Sequence, residues 1–198
     1  IMTKYLARAI SDIFNPVVLL LPVPYLLVLH RTQDADYSFR WAFFSWLFLI
    51  LIGLIMIYLV RKGIFSDLDV SKREQRPLLF LLSGFLTFAY CVSIFILNGP
   101  RVLMVTALGI LIGIFILSII NTYIKASIHL ATVSALLSAL GLVYGGAYIA
   151  LFLLIPVIGW ARVKTHRHTI TETIVGSVLG ALLTLFMYVL VKYILQFG

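Results

Sequence analysis

The stretch Trp41–Val60, WAFFSWLFLILIGLIMIYLV, runs for twenty residues without a charge. At 1.5 Å per residue, about twenty apolar helical residues cross a hydrocarbon layer of roughly 30 Å. Lipid offers the backbone no water, so such a block must close its hydrogen bonds on itself as a helix. A second block, Val102–Ile124, is free of charge over twenty-three residues. The 198-residue chain is 63% apolar and only 11% charged, against about a quarter charged in soluble domains. The sequence therefore predicts an integral membrane protein. Its fold class is all-α, a polytopic transmembrane helical bundle of about six to seven helices. The net charge of +8 does not make it a nucleic-acid binder, because the basic residues sit between membrane segments. Cys91 is the one cysteine, so neither a disulfide framework nor a Cys-rich metal site is available.

Seven hydrophobic segments are expected within a single membrane domain covering residues 1–198. Residues 1–12, with Lys4, Arg8 and Asp12, read as an interfacial amphipathic turn or two. The first segment, Ile13–Leu29, is kinked by Pro16, Pro22 and Pro24. Trp41–Val60 follows, then a polar loop over 61–77. Leu78–Leu97 ends at the turn signal Asn98-Gly99-Pro100, and Val102–Ile124 ends at Lys125-Ala126-Ser127. Ile128–Val143 leads through a tight Gly145-Gly146 hairpin to Ala147–Trp160, which is short for a full span. A second polar loop, 161–171, precedes a last helix ending near Leu195.

Parity then sorts the loops. If the N-terminus lies on side one, so do 61–77, 125–129 and 162–168. Side one carries eleven of the fifteen Lys and Arg residues, which the positive-inside rule makes cytoplasmic. Charges recruited to bind an anion would bias the same count.

Three polar clusters gather on that side. In the first, His168 and Glu172 stand four apart, so on one helix they share a face and can hydrogen-bond. A carboxylate on one ring nitrogen fixes the tautomer and makes the other a better nucleophile or base. Arg162 and Arg167 offer planar donors suited to phosphate oxygens. His166, two residues from His168, points to another helical face. Beyond Glu172, Gly176 and Gly180 form a small-residue stripe that admits a neighbouring helix. The plainer reading is a basic juxtamembrane segment on anionic headgroups. The second cluster is Ser127 and His129 at a helix start, where free N–H groups attract anions; a capping serine beside an interfacial histidine is the plainer account. The third runs from Ser66 to Pro77 and contains Lys72, Arg73 and Arg76. Pro77 suits a first helical turn, and a solvated charged loop is the commoner meaning of such a run.

Taken in order, Arg76-Pro77, Ser127-x-His129 and Arg162-x5-His168-x3-Glu172 resemble the type 2 phosphatidic acid phosphatase superfamily, membrane lipid phosphatases related to vanadium haloperoxidases. The family signatures are Lys-x6-Arg-Pro, Pro-Ser-Gly-His and Ser-Arg-x5-His-x3-Asp. The resemblance spans roughly residues 69–180. Departures are Asp69 in place of the lysine, with Lys72 or Arg73 near enough to supply its charge; Ala126 and Ile128 in place of Pro and Gly; Ala161 in place of Ser; and Glu172 in place of Asp.

The resemblance implies a lipid phosphate or pyrophosphate phosphatase. His168 attacks phosphorus, Glu172 holds its tautomer, and His129 protonates the leaving oxygen. Arg76, Arg162 and Ser127, with Lys72 and Arg73, bind the phosphate. It implies no metal and no cofactor. The substrate would be a membrane lipid phosphate or polyprenyl pyrophosphate, and homo-oligomers stay open. Two alternatives stand beside it. One is a catalytically impaired phosphatase fold with a lipid-binding or transport role. The other is a polyprenyl transferase, faintly suggested by Asp67 and Asp69 but without a second Asp-rich motif.

Overall fold

The computed structural model describes residues 2–194 of the chain. It is helical, with no strand among the described residues. The helices are α1 (Met2–Ile13), α2 (Pro16–Leu20), α3 (Val23–Thr32), α4 (Ala35–Arg61), α5 (Arg76–Ile96), α6 (Arg101–Asn121), α7 (Ile128–Tyr144), α8 (Leu154–Lys164) and α9 (Ile170–Val189). Short 3₁₀ segments cover Arg73–Gln75 and Gly146–Leu153, and a π turn covers Leu190–Ile194. Four helical stretches are long and apolar enough to cross a membrane: Ala35–Arg61, Arg73–Ile96, Arg101–Asn121 and Ile170–Tyr193. A fifth is added if the broken pair Met2–Leu20 and Val23–Thr32 counts as one span.

Several boundaries differ from the sequence expectation. The N-terminal turn or two is a full helix of 12 residues. The prolines divide the first segment outright into α2 and α3. α4 begins at Ala35 rather than Trp41, because Asp34 caps it by accepting the Tyr37 N–H at 2.9 Å. After Gly145, whose φ of 93° few other residues adopt, the chain continues in 3₁₀ geometry before α8. α8 runs to Lys164, so Arg162 lies in a helix and not in the expected 161–171 loop. The expected end near Leu195 lies outside the described residues.

The chain forms two compact units, Ile1–Leu19 with Thr122–Gly198, and Leu20–Asn121. In the second, α3 packs on α4 and α5 on α6. Its α4 is inside out relative to a soluble helix. Ser38, Ala42 and Ser45 are buried, whereas Phe39, Phe43, Leu47, Ile50 and Leu54 are exposed. Ser45 Oγ lies 2.6 Å from the Tyr90 hydroxyl, and the Tyr90 ring stacks on Phe44. Small side chains inside and large apolar ones outside are what helices surrounded by lipid require.

The first unit is built around α7, which buries His129, Leu130, Ala131, Val133, Ser134 and Leu137. α9 lies along α7, and α1 packs on α8. A Cβ added at Gly176 would run into the Ser127 carbonyl, and one at Gly180 into the Ala131 carbonyl. The glycine stripe is what lets the two backbones touch.

Candidate functional site

Local sequence places the first unit's polar groups. Ser127 precedes α7 and caps it, its Oγ accepting from the Leu130 N–H at 3.4 Å. Its own N–H donates to the Glu172 carbonyl at 3.0 Å, which fixes the start of α7 against the first turn of α9. Lys125 Nζ donates to the Arg167 carbonyl at 2.8 Å and ties the same two chain segments together.

His168 lies outside α9, two residues before its first position. It meets Glu172 through a capping turn, not across a helical face. The His168 Nδ1–Glu172 Oε2 distance is 2.9 Å, with the imidazole side chain 2% exposed. The same carboxylate oxygen accepts from the Thr169 N–H at 3.1 Å, and Thr169 Oγ1 accepts from the Glu172 N–H at 3.2 Å. Thr169 and Glu172 thus complete a capping box. A carboxylate oxygen only accepts, so in a neutral His168 this contact places the ring proton on Nδ1.

Arg162, in the last turn of α8, is 1% exposed. Its Nη1 donates to Ser11 Oγ of α1 at 2.6 Å and lies 3.5 Å from His129 Nε2, in the first turn of α7. A guanidinium has only donors, so in the neutral form of His129 that nitrogen faces it as an acceptor. Ser11 was not among the residues the sequence suggests. It stands 151 positions from Arg162, and nothing local marks it.

The chain matches no family model, no curated protein and no solved structure.

Arg76, Arg73 and Lys72 belong to the other compact unit. Arg76 is 1% exposed, its Nε donating to the Val70 carbonyl and its Nη1 to Asn121 Oδ1, both at 3.4 Å. Arg73 Nε donates to the Asn121 carbonyl at 2.6 Å, closing the C-terminus of α6. Lys72 is exposed and precedes the 3₁₀ turn. Asp67 Oδ1 accepts from the Asp69 N–H and from Ser71 Oγ, each at 3.0 Å, so this carboxylate folds its own loop. His166 is exposed in a turn at φ 57°, not on a helix. Among the described residues no three His, Cys, Asp or Glu side chains gather as a metal site.

Within the first unit, then, two side-chain groups form, Ser11–Arg162–His129 from α1, α8 and α7 and His168–Glu172 at the α9 cap. Backbone bonds link their segments, from the His168 N–H to the Arg162 carbonyl at 3.3 Å and from the Ser127 N–H to the Glu172 carbonyl at 3.0 Å. Such a set can hold an oxyanion, supply a nitrogen nucleophile and move a proton.

Proposed function

We propose that the chain is a multi-pass membrane protein, with seven crossings, that hydrolyses a lipid phosphate or lipid pyrophosphate at the membrane interface. The observation that supports this most is the buried His168–Glu172 contact of 2.9 Å, in the same unit as the Arg162–His129 contact. That contact leaves Nε2 as the nucleophilic nitrogen. In the first step the Nε2–P bond forms and the bond from phosphorus to the lipid oxygen breaks. That oxygen takes a proton from His129, which enters this step as the imidazolium and leaves it neutral, and departs as an alcohol or a lipid monophosphate. In the second step water attacks phosphorus, the N–P bond breaks, the water proton returns to His129, and phosphate leaves. Arg162 and the Ser127 end of α7 oppose the charge gathered on the equatorial oxygens, usually the largest contribution to such catalysis.

One observation favours a second reading, a lipid-binding protein on an impaired phosphatase fold. Glu172 Oε2 is also a capping acceptor for Thr169, so its contact with His168 has a structural use without any turnover.

Phosphate release separates the two. The purified protein in detergent, with chelator present, is offered phosphatidate, phosphatidylglycerol phosphate and polyprenyl pyrophosphate. Under the phosphatase reading at least one releases phosphate, His168→Ala lowers the rate on the order of 10³-fold or more, and His129→Ala lowers it about 10²–10⁴-fold. An acid-labile phosphoprotein forms with the parent chain and not with His168→Ala. No release from any of the three lipids abandons the phosphatase reading for lipid binding.

A further inference from the structure

Two cavities in the first unit share a wall, and their chemistries differ. One, of about 460 Å³, is an apolar groove between α8 and α9. Ile155, Pro156 and Gly159 line it from α8, Ile174 and Val178 from α9, and Leu130 forms part of its floor. The other, of about 560 Å³, is bounded by Thr3 and Lys4 of α1 and by Lys164 and His166 at the end of α8. Trp160 and Val163 line both. The lining of neither includes His129, His168 or Glu172. Among the described residues no acidic side chain lines either cavity, so the second is a basic pocket that shares Trp160 and Val163 with the apolar groove.

The dimensions suit one molecule. The groove follows α8 from Val163 to Ile155 and α9 from Ile170 to Val178, which is roughly 12 Å along each axis at 1.5 Å per residue. One leaflet is about 15 Å deep, half of a hydrocarbon core of roughly 30 Å. The level of the mouth is marked twice. Trp160 lines both cavities, and tryptophan favours the headgroup boundary. α1 divides its surface in three: Ala7 and Ser11 are buried, Lys4 and Arg8 form a basic face, and Met2, Tyr5, Leu6 and Ile13 are exposed. A helix so divided lies in the interfacial plane.

We infer that this paired cavity is a binding site for an anionic phospholipid, separate from the proposed catalytic residues. One acyl chain occupies the α8–α9 groove, and the phosphate-bearing headgroup sits between Lys4, Lys164 and His166. The inference rests on the membrane placement of α8 and α9 and not on phosphatase chemistry.

Native mass spectrometry of the intact chain tests it, with phosphatidylglycerol and phosphatidylcholine of identical acyl chains offered together. The expected result is at least fivefold preferential retention of phosphatidylglycerol. Lys4→Glu with Lys164→Glu, both exposed, removes the preference. Gly159→Leu lowers retention of both lipids, because it fills the groove. A Cβ there meets only Thr173, at 3.9 Å, so the backbone accommodates the change, and circular dichroism verifies the fold of each variant. Glycerol phosphate in excess leaves retention unchanged. Equal retention of the two lipids, a preference that survives both variants, or competition by glycerol phosphate each overturns the inference. Extraction of the chain from membranes without detergent would instead remove the membrane placement on which it rests.

Discussion

Ser11 shows how far the chemistry of this site reaches beyond its motif. Its hydroxyl accepts from the Arg162 guanidinium at 2.6 Å, with both residues buried. A hydrogen bond to a charged group is worth about 1.5–3 kcal/mol, and the bond fixes where the other guanidinium donors point. Ser11→Ala is therefore expected to lower kcat/KM about tenfold or more, mainly through kcat, while Ser11→Thr restores it. Equal activity in the alanine variant would show that Arg162 is held by its other contacts. Glu172 has two uses, and two substitutions separate them. Thr169→Ala removes the cap and costs about 1 kcal/mol of stability without changing turnover per folded molecule. Glu172→Gln keeps an oxygen for the Thr169 N–H but loses the charge that stabilises the imidazolium, so turnover falls on the order of 10²–10⁴-fold with little change in melting temperature. Thermal unfolding in detergent, measured beside phosphate release, resolves the pair. The His168–Glu172 pairing was legible from spacing alone, although its geometry was not. The four-residue interval suggests one helical face, whereas the Thr-Ile-Thr-Glu run over 169–172 is a capping-box pattern that places His168 before the helix. Ser11 was not legible, since no local signal pairs residues so far apart in sequence.

At the scale of elements, the close contact of α7 with α9 is the feature that positions Ser127 against Glu172. Gly176 and Gly180 face the Ser127 and Ala131 carbonyls so closely that a methyl group has no room. Those neighbours are backbone, which cannot swing aside. Gly180→Ala is expected to destabilise the chain by about 1–3 kcal/mol or more and to loosen the start of α7. Gly141→Ala, in α7 with nothing within 4 Å of the added carbon, serves as the control. It should be neutral or stabilising by up to about 1 kcal/mol, because alanine is the better helix former. Equal melting temperatures for the two variants would show that the helices do not depend on this approach. The long helices could be read from sequence because each is a charge-free run bounded by strong breaks, such as Asn98-Gly99-Pro100 after α5. The stretch from Gly145 to Lys164 could not. It is apolar to Trp160 without a consistent helical period, and the structure resolves it into a 3₁₀ segment followed by α8. Arg162 and Lys164 extend that helix past the point where polarity suggested a loop, which is how Arg162 comes to be buried rather than solvated.

For the whole molecule the open quantity is the number of crossings. Large apolar side chains lie exposed along the long helices, with Phe85 at 68%, Phe95 at 76% and Phe115 at 66%. Burying that surface in lipid is favourable by about 25 cal/mol per Å², which water cannot match. The hairpin from α7 through α8 decides the count. α7 has 17 residues and is about 26 Å long. The returning limb combines 8 residues of 3₁₀ helix with 11 of α8, and together they rise about 32 Å. Both limbs therefore match a hydrocarbon core of roughly 30 Å, and the hairpin is expected to cross fully, with its Gly145 tip on the face opposite Thr165. In a Cys91→Ala background, the single substitutions Tyr144→Cys, beside the tip, and Thr165→Cys should react with an impermeant maleimide from opposite sides of sealed vesicles. Labelling from the same side would make the hairpin re-entrant and reduce the crossings to five, with α2 and α3 together as the N-terminal one. The side of the candidate site does not change between these outcomes. Ser127 and Glu172 are joined by a backbone hydrogen bond of 3.0 Å, so the chain enters and leaves the hairpin on one face whichever way it turns.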